Sequence, residues 1–230
     1  ANTLLLEGTV NKSVTLYVPT NNLKRYFDIK LTNALADKKV YLKENFVVAK
    51  KMPADKQVDK VTHSISMALD DVLKNSNNMV SETIAKLAGG KAYQDVGTDI
   101  YGIKVFNAYC QKIGVDNSKI RLTDASGVSK NNLVNVDFIS EYLYKNKSNK
   151  TLEHLATPGE GTLTHRMLPI KENLRAKTGT LSDTSSIAGF LTSKSGNKYS
   201  FAIIINDTTS TIPDMKMLED YLIREAYLRL

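Results

Sequence analysis

Lysine, threonine and glycine in immediate succession can bind an anion and a peptide at once. In Lys177-Thr178-Gly179-Thr180 two hydroxyls and an ammonium can hold a terminal carboxylate through charge-assisted hydrogen bonds. Gly179 carries no side chain, so a second backbone can lie close against the strand there. A strand N–H such as that of Thr180 can then face an oxygen on which negative charge develops. A second set lies far upstream. Ser76-Asn77-Asn78 offers a hydroxyl that can relay a proton and an amide that can bind a peptide carbonyl. The same spacing recurs at Ser129-Lys130-Asn131 and Ser195-Gly196-Asn197, and helix capping explains such triplets on local grounds alone. Position favours the first, because it joins two helical patterns and Ser76 and Asn78 can face one cleft.

The elements that would position these residues can be read from periodicity. Apolar spacing predicts helices over 66–74, 79–87, 99–113 and 136–144. Gly89-Gly90 reads as the stop of the second, Gly114 as that of the third, and Asn135 as the cap of the fourth. After residue 170 the pattern turns to strands: 174–178, 187–192 and 199–206, with Ser195-Gly196-Asn197 as the turn joining the last two. The run Ile203-Ile204-Ile205 suits a strand buried on both faces. Pro213 is well placed to open a terminal helix carrying Met217, Leu218, Tyr221, Leu222 and Leu228. The N-terminal part reads as a separate small unit, with strands at 3–10, 13–18 and 40–49 around a helix at 23–36, and Pro53 marks the crossing. Antiparallel strands covered by helices make an α+β architecture.

Composition removes several function classes. The chain has 230 residues and a net charge of +7, but its lysines are spread along it rather than massed, which argues for no nucleic acid partner. That charge permits peripheral attraction to an anionic wall or membrane surface. No apolar run reaches the ~20 residues a membrane span needs, and no leader sequence opens the chain. The one cysteine, Cys110, falls on the apolar stripe of a helix and reads as core. His63, His154 and His165 show no paired ligand spacing, so neither a metal nor another cofactor is expected.

Ser-x-Asn and Lys-Thr-Gly occur together, with a Ser-x-x-Lys, in enzymes acylated on serine by D-alanyl peptides or penicillin. The segment Leu73 to Glu82 resembles the Ser-Asp-Asn region of class C low-molecular-mass penicillin-binding proteins, the D-alanyl-D-alanine carboxypeptidase/endopeptidase family. Asp124-Ala125-Ser126-Gly127-Val128-Ser129 resembles that family's Asp-Gly-Ser-Gly-Leu-Ser loop. Gly161-Thr162-Leu163 with Arg166-Met167 resembles its Gly-Thr-Leu-x-x-Arg-Met stretch, and Ala176 to Thr180 leads into Ala188-Gly189-Phe190 as it does there. Asn77 stands where an aspartate is usual, and Ala125 where a glycine is.

The resemblance implies a β-lactamase/DD-peptidase-like fold, with 53–230 the C-terminal part of the peptidase domain and 1–52 the end of an inserted accessory domain. It implies Ser76, Asn78 and Lys177 as catalytic residues and Thr178, Gly179 and Thr180 as substrate-binding ones. The substrates would be peptidoglycan stem peptides, with β-lactams as acylating inhibitors, in the periplasm or another extracytoplasmic space. The one literal Ser-x-x-Lys, Ser195 to Lys198, lies in a hairpin turn, where the lysine cannot sit one helical turn from the serine. The nucleophile is therefore expected on an N-terminal portion of the same protein, and this chain alone is expected to be inactive. The rival expectation is a non-catalytic wall-binding or scaffolding module that keeps the groove without a nucleophile.

Overall fold

The structure is a computed structural model that describes residues 22–42, 62–206 and 209–230. The chain divides into two compact units, 1–60 and 61–230. In the first, helix α1 (Leu23–Asp37) starts where the Asn22 side chain accepts the Arg25 N–H. The strands expected at 3–10 and 13–18, and most of that at 40–49, lie outside the described residues.

The second unit is an antiparallel sheet covered by helices. Helices α2 (Ile65–Leu73), α3 (Asn78–Tyr93), α4 (Asp99–Ile113) and α5 (Val136–Lys145) precede strands β1 (Leu174–Thr180), β2 (Thr184–Thr192) and β3 (Lys198–Asn206), and α6 (Ile212–Arg229) ends the chain. Each helix opens on a side-chain cap: Ser64, Asn77, Thr98, Asn135 and Thr211 all accept a first-turn N–H that would otherwise be orphaned. Gly114 ends α4 in the left-handed conformation expected of it.

Gly89-Gly90 does not end α3, which runs on to Tyr93. A Cβ on Gly89 would meet the Gly102 backbone nitrogen at 2.7 Å, so this glycine lets α3 and α4 touch rather than breaking the helix.

The strands are antiparallel in the order β1-β2-β3, with Lys177 opposite Ala188 and Thr178 opposite Ile187. Period-two alternation puts Leu174, Ala176, Ile187 and Leu191 on one face, buried against Leu163, Ile170 and Ile223 of the flanking segments. Lys177, Gly179 and Ser186 take the opposite face. Ile203, Ile204 and Ile205 are half-buried rather than enclosed on both sides: Ile203 joins the core, whereas Ile204 lines the cleft described below. Cys110 is fully buried with Phe138 and Val115 in a second core, where desolvation pushes its thiol up.

The terminal helix presents a face that was not expected. Met215, Glu219 and Ile223 are its buried residues, while Met217, Leu218, Tyr221, Leu222 and Leu228 are exposed.

Candidate active site

Ser76 sits in the short link between α2 and α3, and its backbone is left-handed (φ 59°), which few L residues adopt without help from their surroundings. Its hydroxyl accepts a 2.6 Å hydrogen bond from Lys177 Nζ, across 101 positions of sequence. The same ammonium donates to the Thr178 carbonyl at 2.6 Å. Burial pushes the Lys177 pKa down to about 8. Asn78, the first residue of α3, is exposed at the same cleft, and no described residue engages its amide.

The cleft has a volume of about 1220 Å³ and lies between the helices and the edge of β1. Ala176 donates its N–H away from β2, to the Ala156 carbonyl at 2.9 Å. Backbone direction repeats every second residue, so the Thr178 and Thr180 N–H groups also point away from β2. Beyond Ala176 no strand among the described residues pairs with this edge of β1, so the Thr178 and Thr180 N–H groups are open to an extended peptide. Gly179 lies on the cleft face, where a Cβ would meet Ser186 Oγ at 2.5 Å. Thr180 is exposed at the cleft. The Thr178 side chain, in contrast, is buried on the other face and donates to Thr162 Oγ1 at 2.7 Å.

Thr162 was not singled out from the sequence as a site residue. Its N–H donates to the Lys74 carbonyl at 3.0 Å, two residues before Ser76, while its hydroxyl meets Thr178. Gly161 makes this possible: a Cβ there would lie 2.1 Å from the Lys74 oxygen, and its φ is positive. Five residues after Gly161, Arg166 donates to Asp220 and Glu219 of α6 at 2.6 and 2.8 Å. The stretch 161–166 thus ties together the end of α2, the edge of β1 and the terminal helix.

The loop 124–129 forms another wall. Glu82 Oε1 accepts the Ala125 and Ser126 N–H groups, and Ser81 Oγ donates to the Ala125 carbonyl at 2.6 Å, so the loop is fastened to α3. Burial pushes the Asp124 carboxyl up, but bonds from Asn132, Ser129, Gly127 and Ser126 together outweigh it and hold the pKa below the usual range. Gly127 supplies the left-handed backbone in this turn, while Ala125 needs no positive φ, so the missing glycine there costs nothing. At the mouth Lys130 pairs with Asp183 at 3.6 Å, bridging this loop and the β1–β2 turn.

Because the folded-state Asp124 pKa is lowered, its stabilisation is present above the unfolded carboxylate pKa and is lost as pH falls through the folded value. Asp124→Asn is expected to cost about 1–3 kcal/mol at neutral pH by denying one of the N–H groups its acceptor. The gap to wild type should close in urea unfolding below ~pH 4.

Ser195 and Lys198 do not form a nucleophile pair. Ser195 Oγ donates to the Leu230 carbonyl at 2.8 Å in the β2–β3 turn, and Lys198 begins β3.

Residues 1–222 match the model of the D-Ala-D-Ala carboxypeptidase 3 (S13) family. The chain belongs to that family. Among relatives of this S13 chain, D-alanyl-D-alanine carboxypeptidase DacB of Haemophilus influenzae is 29% identical over 147 residues, covering 60% of the chain and 31% of that protein. The D-alanyl-D-alanine carboxypeptidase of an Actinomadura species is 29% identical over 179 residues, covering 70% and 33%. The S13 chain thus spans about a third of the length of the curated relatives it matches. Its fold is that of penicillin binding protein 4 (dacB) from Haemophilus influenzae, solved with a β-lactam: TM-score 0.77, 22% identity, 92% of this chain and 53% of that one. An extended-spectrum β-lactamase shares the fold more distantly, with a TM-score of 0.55, 15% identity and 72% of this chain covered. The α+β, DD-peptidase-like expectation and the family resemblance both hold.

Proposed function

We propose that this chain supplies the proton-relay and carboxylate-binding side of the groove of an extracytoplasmic serine D-alanyl-D-alanine carboxypeptidase/endopeptidase. The observation that carries this reading is the 2.6 Å bond from buried Lys177 to Ser76, beside the edge of β1. A stem peptide ending in D-Ala-D-Ala would pair with that edge, its penultimate carbonyl oxygen meeting the Thr180 N–H. Asn78 would bind a backbone carbonyl of the peptide. Thr180, with the Lys177 charge, would hold the terminal carboxylate, while the buried Thr178–Thr162 hydroxyl pair keeps the strand in place behind them.

The attacking serine would come from a Ser-x-x-Lys outside this sequence, on the N-terminal portion of the same protein. Its hydroxyl oxygen adds to the penultimate carbonyl carbon, the C–N bond breaks, and the proton given up by that hydroxyl is relayed through Ser76 to the departing D-alanine amine. Water then cleaves the acyl ester, returning the serine and releasing the shortened peptide. A β-lactam would be attacked at its ring amide in the same way and remain attached. No step calls on a metal or organic cofactor. In this reading residues 1–52 end an accessory domain, and the dispersed positive charge suits the anionic polymers of the wall surface.

Intact-mass measurement of the full-length protein with a labelled penicillin tests the reading. The expected result is one adduct on a serine outside residues 1–230, together with release of D-alanine from a D-Ala-D-Ala peptide. A folded protein that takes up no label and releases no D-alanine would instead be a non-catalytic wall-binding module.

A further inference from the structure

A left-handed serine needs something to hold it, and the neighbours of Ser76 show what does. Asp71, on the last turn of α2, uses both carboxylate oxygens. Oδ1 accepts from Asn75 Nδ2 at 3.1 Å and Oδ2 accepts from Asn77 Nδ2 at 2.7 Å. Its main-chain carbonyl also accepts the Asn77 N–H at 3.2 Å. One residue therefore grips the positions on either side of Ser76. Asn77 has a further duty, since its Oδ1 accepts the Val80 N–H and caps α3. An amide can donate to a carboxylate and accept from an N–H at once; an aspartate at 77 would set one carboxylate against another. Asp71 does not line the cleft, whereas Ser76, Asn77 and Asn78 do.

We propose that Asp71 is a positioning residue, with Asn77 its required partner: the carboxylate–amide pair fixes Ser76 in the left-handed conformation that brings its hydroxyl onto Lys177. The role of this serine in acylation rests on the function proposed above, whereas the conformational claim does not. The pair also accounts for Asn77 standing where the family usually has aspartate, because Asp71 forbids a second carboxylate. Exchanging the two residues, Asp71→Asn with Asn77→Asp, restores the pair with its polarity reversed and keeps an acceptor for the Val80 N–H.

The test is a double-mutant cycle in the full-length protein, read as the rate of acylation by a fluorescent penicillin. Asn77→Asp is expected to slow acylation about tenfold or more and Asp71→Asn several-fold, while the double variant returns to within about threefold of wild type. The double variant should also be no less stable than either single one. A double variant slowed by the product of the two single effects would overturn the proposal. Crystal structures of Asn77→Asp and of the double variant give a readout independent of activity. Ser76 should leave the left-handed region and part from Lys177 in the single variant, and recover both in the double. An unchanged Ser76 in Asn77→Asp would equally overturn it. Wild-type protein that takes up no penicillin would sink the proposed function, and the crystallographic comparison would still decide the role of Asp71.

Discussion

Replacing Lys177 by Met is expected to slow penicillin acylation of the full-length protein by about 10²–10³-fold, the usual cost of removing a positioned proton-transfer or charge-stabilising group. Methionine fills similar space but can neither donate to Ser76 Oγ nor present charge to a carboxylate. The same substitution should have an opposite, pH-dependent effect on stability. In the folded protein burial brings the Lys177 pKa to about 8, against ~10.4 for an unfolded lysine. Between these values the unfolded chain holds the extra proton, so the stability of the wild type rises with pH. The penalty for burying the ammonium is fully present below about pH 8 and is relieved towards ~pH 10.4, a change on the order of 3 kcal/mol. Urea unfolding of wild type and Lys177→Met at pH 7 and 10 should show the difference moving in favour of wild type. Acylation by wild type should also fall on an alkaline limb near pH 8 as the ammonium is lost. Wild-type-like acylation by Lys177→Met, or a stability difference independent of pH, would remove Lys177 from the role given to it.

Arg166→Ala should be the most damaging change to stability outside the groove. Arg166 is 14% exposed and its partner Glu219 is fully buried, with Oε1 lacking any hydrogen bond among the described residues. Burial works against the guanidinium charge, but the bonds to Asp220 and Glu219 outweigh it and raise its pKa. Alanine would leave the Glu219 carboxylate in the core without its cation, which typically costs about 3–5 kcal/mol. Pairing the change with Glu219→Gln removes the stranded charge and should recover much of the loss. Denaturant unfolding of wild type, the single variant and the paired variant decides the matter. A single variant within ~0.5 kcal/mol of wild type would show that the pair is not holding α6 in place.

What the sequence disclosed, and what it hid, follows the range of the interactions involved. The Asn135 cap, the Gly114 stop, the hairpin turn at 195–197 and the strand carrying Lys177 are local chemistry, and all could be read along the chain. The convergence of Ser76, Asn78 and Lys177 on one cleft came from motif resemblance; no periodicity brings together residues 101 positions apart. Gly89 was misread because its purpose is the approach of α4, which a one-dimensional pattern does not contain. Ile203 to Ile205 looked doubly buried because an apolar run does not say what covers each face. Thr162, Arg166 and Asp71 were missed as site residues for the same reason: each acts through a partner on another element. The one available signal for Thr162 and Arg166 was the Gly-Thr-Leu-x-x-Arg-Met phrase itself, and for Asp71 it was the unusual asparagine at 77.

The tie from 161–166 to Lys74, Thr178 and α6 bears on the order in which the molecule comes together. The α3–α4 pair and the β2–β3 hairpin are contiguous in sequence and close short loops, so each can form early. The bond from Lys177 to Ser76 must close a loop of 101 positions, and it has no geometry until Thr162 has found the Lys74 carbonyl. Long closures of this kind are the slow part of reaching a native topology. The groove is therefore expected to be assembled last, and its appearance during refolding would mark the moment at which the helices and the sheet have docked.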